Sequence, residues 1–162
     1  MVHSPSLTVW LDPGKVTGWA TWRPADDQFL SGQVTGLLEA ANRVRDIIGM
    51  VSAGNLVAIG WEAFTIRPGS AHLDLDTTAL EVIGAVQWIA AEAKATVLKP
   101  QQPSDRTLGQ KHLATLGWHR PGPDHADSAA SHLLSYLITT RQLPAELLAK
   151  ITEKMEQEGH ER

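Results

Sequence analysis

The sequence predicts an α/β protein in which one mixed β-sheet carries helices on both faces. Three observations lead there. Short apolar runs rich in strand formers follow one another closely at the start of the chain. From residue 36 onward, stretches with apolar residues at helical spacing alternate with further apolar runs. Pro, Gly, Asp and Asn mark the turns between them. Strands first, then alternating helices and strands, read as β-β-β-α-β-α-β-α, the order of a mixed sheet covered on its faces.

Leu7 to Leu11 (LTVWL) is the first strand, stopped by Asp12-Pro13-Gly14. Thr17 to Trp22 is the second, closing at Pro24, and Phe29 to Val34 the third after a turn at Asp26-Asp27. Such short links make an antiparallel meander. Gly36 to Val51 is a helix, with Leu37, Leu38, Ala41, Val44, Ile47 and Ile48 in helical phase and Gly54-Asn55 ending it. Leu56 to Trp61 is a buried strand, and Thr65 to His72 a loop. Leu75 to Lys94 is a largely apolar helix, and Thr96 to Lys99 a brief strand before Pro100. A short helix spans Ser104 to Leu116, with Ser104 placed to cap it. Asp124 to Thr140 is a clear helix and Pro144 to Glu158 a terminal one.

The 162 residues amount to a single domain, with its core over about residues 7–140 and the terminal helix over about 144–158. Hydrophobic residues make up 43%, enough to fill a core. The chain has no cysteine, which excludes disulfide scaffolds, thiol catalysis and Cys-based zinc sites and suits a reducing cytoplasm. Met1 to Ser6 has neither a basic nor an apolar leader region, and no apolar run approaches membrane-spanning length. A cytoplasmic protein without membrane contact is expected.

The net charge is −4, which by itself argues against a nucleic-acid partner. The distribution is uneven. Lys94, Lys99, Arg106, Lys111 and Arg120 face a single acid, Asp105, between residues 93 and 123. A basic segment on an acidic body can follow one DNA backbone; it can also be a solvated loop.

Asp12 stands at the end of the first predicted strand and Glu62 at the end of the fourth. Asp124 and Asp127 are three apart at the start of a helix and share a face. If the first and fourth strands are neighbours, all of these carboxylates can converge. Converged like charges repel unless a cation joins them, and hard ions such as Mg²⁺ prefer such oxygens. Two ions roughly 4 Å apart can activate water and stabilise the leaving oxygen of a phosphodiester. Each residue also has an ordinary reading. Asp-Pro-Gly is a common turn, Glu62 can mark the edge of the core, and Asp124 and Asp127 suit a helix N-terminus. Only the whole set, in order and on the right elements, points to a metal site.

Three motifs carry a resemblance. "LDPGKVTGWA" (Leu11 to Ala20), "VAIGWEAF" (Val57 to Phe64) and "PDHADSAASHLLSYL" (Pro123 to Leu137) resemble, in order, the three acidic motifs of RuvC-type Holliday junction resolvases in their compact bacteriophage form. The likeness covers residues 7 to 140 or so. It implies an RNase H-like fold, a homodimer, two Mg²⁺ or Mn²⁺ ions per site, and paired nicks across a four-way DNA junction during recombination and repair, in a host cytoplasm if the chain is phage-encoded. It implies Asp12, Glu62, Asp124 and Asp127 as metal ligands, with His125 as an adjunct. The family also places a basic residue near the scissile phosphate; Lys111 is the first candidate and Lys99 the second. Phe64 matches an aromatic that touches the junction core, and the helix after it contributes to the dimer.

Lys15, Arg106, Trp118 and Arg120 complete the expected DNA contacts. Trp118, beside His119 and Arg120, is the best base-stacking candidate, with core packing as its alternative. Trp10, Trp19, Trp61 and Trp88 are expected in the core. Gly14-Lys15-Val16-Thr17 is no P-loop, because Val9 stands where its first glycine would be. His125 and His132 lie seven apart on one helix, and without cysteines a zinc site is not expected. Other functions compatible with parts of the pattern are a broader structure-selective nuclease acting on flaps and forks, an ATP-binding protein of the actin-like fold, and a non-catalytic DNA-binding module. The Asp124/Asp127 pair has no place in the ATP-binding case, and the full carboxylate set argues against the non-catalytic one.

Overall fold

A computed structural model of the chain describes residues 4–64 and 77–160. The strands are β1 (Leu7–Asp12), β2 (Val16–Arg23), β3 (Gln28–Thr35), β4 (Val57–Trp61) and β5 (Thr96–Val97). The helices are α1 (Leu37–Gly49), α2 (Thr78–Glu92), α3 (Thr107–His112), α4 (Asp124–Thr139) and α5 (Ala145–His160). The strands form one five-stranded sheet in the order β3-β2-β1-β4-β5. β1 pairs antiparallel with β2 and parallel with β4, so the sheet is mixed, as the element order predicts.

Alternation along β1 sorts its side chains between two layers. Leu7, Val9 and Leu11 face one side. There they pack with Ile59 and Trp61 of β4, with Ala40, Val44 and Ile47 of α1, and with Val82, Val86 and Ile89 of α2. Trp10 faces the other side with Ala20 and Trp22 of β2, under Ala129, Ala130, Leu133, Leu134 and Leu137 of α4. Ile151 of α5 closes this second layer. Burying side chains of this size contributes about 1.5–3 kcal/mol each.

Two glycines set how closely the layers approach. A Cβ on Gly18 would lie 1.8 Å from the carbonyl oxygen of His125, so the first turn of α4 rests directly on β2. A Cβ on Gly60 would lie 2.6 Å from the Trp10 ring, which occupies the space a side chain would take.

The structure corrects several local expectations. The segment from Ser104 is not one helix: a 3-10 turn over Pro103–Arg106 precedes α3. Ser104 does not cap it. The Asp105 carboxylate accepts from the Gln102 N–H at 2.7 Å, and Ser104 offers its carbonyl to the Thr107 hydroxyl. Trp88 on α2 is not a core residue; it is 66% exposed, and Leu80 on the same helix is 43% exposed. The expected loop at Thr65 to His72, and the start of α2 expected at Leu75, lie outside the described residues.

Candidate active site

The parallel register pairs Leu11 with Trp61, which puts Asp12 and Glu62 side by side at the ends of β1 and β4. The Glu62 N–H donates to the Leu11 carbonyl at 2.9 Å and locks this arrangement. Both side chains share the face of Trp10 and Gly60, toward α4. On the far side of Glu62, Gln101 forms an isolated parallel bridge that continues the line of β5.

A cleft of about 550 Å³ opens between this strand end, α3 and the start of α4. Asp12, Asp124 and Asp127 line it together with His119, His125, Arg106 and Ser128. The closeness of Gly18 to His125 is what brings the start of α4 to the end of β1.

Asp12, Asp127 and Glu62 each have an imidazole, guanidinium or backbone N–H partner. His125 Nδ1 donates to Asp12 Oδ2 at 3.0 Å. His119 Nδ1 donates to Asp127 Oδ2, and the Arg120 N–H donates to Asp127 Oδ1 at 2.9 Å. His132 Nε2 donates to Glu62 Oε2 at 2.7 Å. Arg106 Nη1 donates to Ser128 Oγ at 2.7 Å and lies 3.5 Å from Glu62 Oε2. The bond from His132 holds the Glu62 carboxyl below the usual carboxylate range, against desolvation that acts the other way; the charges of His132, Arg106 and His125 add to the lowering.

Donor chemistry suits a hard divalent cation: carboxylate oxygens at adjoining strand ends, two more on the facing helix, and one imidazole. Placement suits it as well, since Asp12, Asp124 and Asp127 share one cleft and Glu62 adjoins Asp12. Among the described residues, no three of these groups close around a single point as the ligands of one ion would. The carboxylates lean on their histidine and arginine partners instead.

Comparison with known proteins agrees with this architecture. No protein-family model and no curated protein matches the sequence. Among solved structures, RuvC of Thermus thermophilus is similar at 17% identity, with a TM-score of 0.59 over 84% of this chain and 96% of that one. The Holliday junction resolvase of fowlpox virus matches at 11% identity, with a TM-score of 0.47 over 82% of this chain and 99% of that one. The fold is RNase H-like.

On that fold, the residues expected to contact DNA separate into groups. Arg106 lines the cleft. Lys111 does not: it is exposed on α3, and its neighbour Gln110 takes the lining position, so the basic side chain nearest the carboxylates is Arg106. Lys99 is exposed just beyond β5, and Lys15 is exposed in the β1–β2 turn with its carbonyl bonded to the Gly36 N–H. Phe64 is exposed two residues past Glu62. Arg120 straps its loop to the sheet, its guanidinium donating to the Ser31 carbonyl.

Trp118 is corrected to a core residue. It is 8% exposed, stacked on Phe29 with ring centroids 4.2 Å apart and tilted against Trp22, which leaves a base no access to it.

Sequence reasoning missed His132, Gln101 and His119. His132 is wholly buried and stacks on Trp10. A usable signal existed for His132, since it lies seven residues from His125 and therefore on the same side of α4 as the site.

Proposed function

We propose that this chain is a divalent-metal-dependent endonuclease of the RuvC type that resolves four-way DNA junctions. The observation that carries the reading is the pairing of Asp12 and Glu62 at adjacent strand ends, with Asp12 sharing a cleft with the acids of α4, in an RNase H-like fold. The similar structure of Thermus thermophilus is, by name, RuvC, and the resemblance of the three acidic motifs supports the same reading.

Asp12, Glu62, Asp124 and Asp127 would hold Mg²⁺ or Mn²⁺, in a two-ion arrangement on this reading. The metal supplies positive charge that activates water and stabilises the leaving oxygen of the phosphodiester. The protein's part is positioning. Arg106 brings a guanidinium to a phosphate in the cleft and offsets its charge. His125 holds Asp12 through its Nδ1, a contact that Asp12 would exchange for the metal ion when one is bound. Water attacks phosphorus, one P–O bond of the backbone breaks, and a proton passes to the departing oxygen.

Paired nicks require two sites, and a homodimer supplies them. Leu80 and Trp88, eight residues apart on α2, form an exposed apolar strip suited to a second copy of the chain. No helix among the described residues is long and apolar enough to cross a membrane. The proposed place of action is the cytoplasm, where the DNA lies.

The test is cleavage of a synthetic four-way junction with Mg²⁺ or Mn²⁺, beside linear duplex, flap and fork controls and an Asp12→Asn protein. Symmetric nicks in the junction alone, abolished by Asp12→Asn while junction binding persists, are the expected result. Cleavage of several branched forms would favour a broader structure-selective nuclease. Absence of metal-dependent cleavage on every substrate would overturn both.

A further inference from the structure

His132 has no assigned part in the chemistry above, yet it is a fully buried imidazole, at 0% exposure, that touches a site carboxylate. Its surroundings fix it on every side. The Trp10 ring stacks on it at 15° between planes, with centroids 6.2 Å apart, and Trp10 is seated over Gly60, where no side chain intervenes. Tyr136, one turn along α4, also packs against Trp10, with ring centroids 5.4 Å apart. Nδ1 of His132 lies 2.7 Å from Oε1 of Gln101, the residue bridged to Glu62 in the sheet. The ring therefore has one orientation, and that orientation aims Nε2 at Glu62.

The contact is one-sided. Both His132 and Arg106 address Oε2 of Glu62, and Oε1 accepts no hydrogen bond among the described residues. An ionised carboxylate anchored through one oxygen, with no described partner on the other, is arranged as a ligand whose direction is set from behind. Arg106, at 3.5 Å and partly exposed, is a weak and displaceable partner, whereas a buried imidazole held by packing is not. We infer that His132 is the positioning residue for Glu62, anchoring Oε2 so that Oε1 is presented to the metal ion. The inference rests on the metal-site reading of Glu62 given above.

The probe is Mn²⁺ binding to the DNA-free protein, followed by electron paramagnetic resonance. His132→Leu, which keeps bulk but loses the donor, is expected to weaken Mn²⁺ binding about 10–100-fold, the usual effect of removing a partner behind a ligand. His132→Gln, whose amide nitrogen can reach the place of Nε2, is expected to restore most of it. In the unmodified protein, the His132 ring N–H should give a slowly exchanging proton resonance that moves on Mg²⁺ addition and disappears in Glu62→Gln. Wild-type Mn²⁺ affinity in a folded His132→Leu, or equal loss in Leu and Gln variants, overturns the inference. If His132→Leu does not fold, a ring resonance indifferent to Mg²⁺ overturns it. Mn²⁺ binding that survives Glu62→Gln unchanged would instead remove the metal-site reading itself, and the inference with it.

Discussion

His132 and Glu62 lie 70 residues apart in sequence and share a 2.7 Å hydrogen bond between the middle of α4 and the end of β4. This bond is the main reason the Glu62 carboxyl sits below its ordinary value of 4.5. A carboxyl that binds its proton more weakly when folded than when unfolded adds stability above its unfolded value, and that stability is lost as pH falls through the depressed folded one. Urea denaturation in a metal-chelating buffer between pH 7 and pH 3 should therefore show wild type losing its advantage over Glu62→Gln below about pH 4.5. A constant difference across the range would mean that the bond does not couple to protonation.

Arg106 and Lys111 should part company. Arg106 lines the cleft and touches Ser128 beside Glu62, so Arg106→Ala is expected to slow junction cleavage by about 10²-fold or more at saturating DNA, the scale of a lost charge-stabilising donor. Lys111 is exposed outside the lining, so Lys111→Ala should leave that rate alone. At most it should reduce the slope of log binding constant against log salt by about 1. Single-turnover cleavage and salt-dependent binding measure the two effects separately.

Gly18→Ala is expected to be severe although it adds one methyl group. The new carbon would lie 1.8 Å from a backbone oxygen of α4, which has no side-chain freedom with which to yield. A loss of about 3 kcal/mol or more in urea unfolding is expected, at the upper end for overpacking. Gly49→Ala, with nothing within 4 Å of the added carbon, serves as the mild control.

Trp88→Asp places a charge on the exposed apolar strip of α2. Light scattering at micromolar concentration should report a dimer for wild type and a monomer for the variant, and paired nicking should give way to single, uncoordinated nicks. A monomeric wild type would exclude dimerisation through this strip.

The elements that frame the site were legible because each carries a strong local signal. LTVWL stopped by Asp-Pro-Gly fixes β1 and the place of Asp12, and the apolar run ending at Trp61 fixes β4 and Glu62. The basic residue was read from the resemblance and not from helical phase. Arg106, Gln110, Leu113 and Ala114 line the cleft at helical spacing, which leaves Lys111 off that face. Trp118 was hidden by its company: His119 and Arg120 make the segment look solvated, while the ring turns inward to Phe29 and Trp22. His132 lies in a run of small and apolar residues, and only the tertiary placement of Glu62 and Gln101 gives it a role.

The seat of α4 on Gly18 also has a temporal side. Asp12 and its partner His125 are 113 residues apart, and the helix that walls the cleft leaves the ribosome long after β1 to β4. A nascent chain with only its first half released holds two of its acids and no groove for a phosphate. On the proposed function, competence to cut DNA would thus arrive late in synthesis, when the last helices dock.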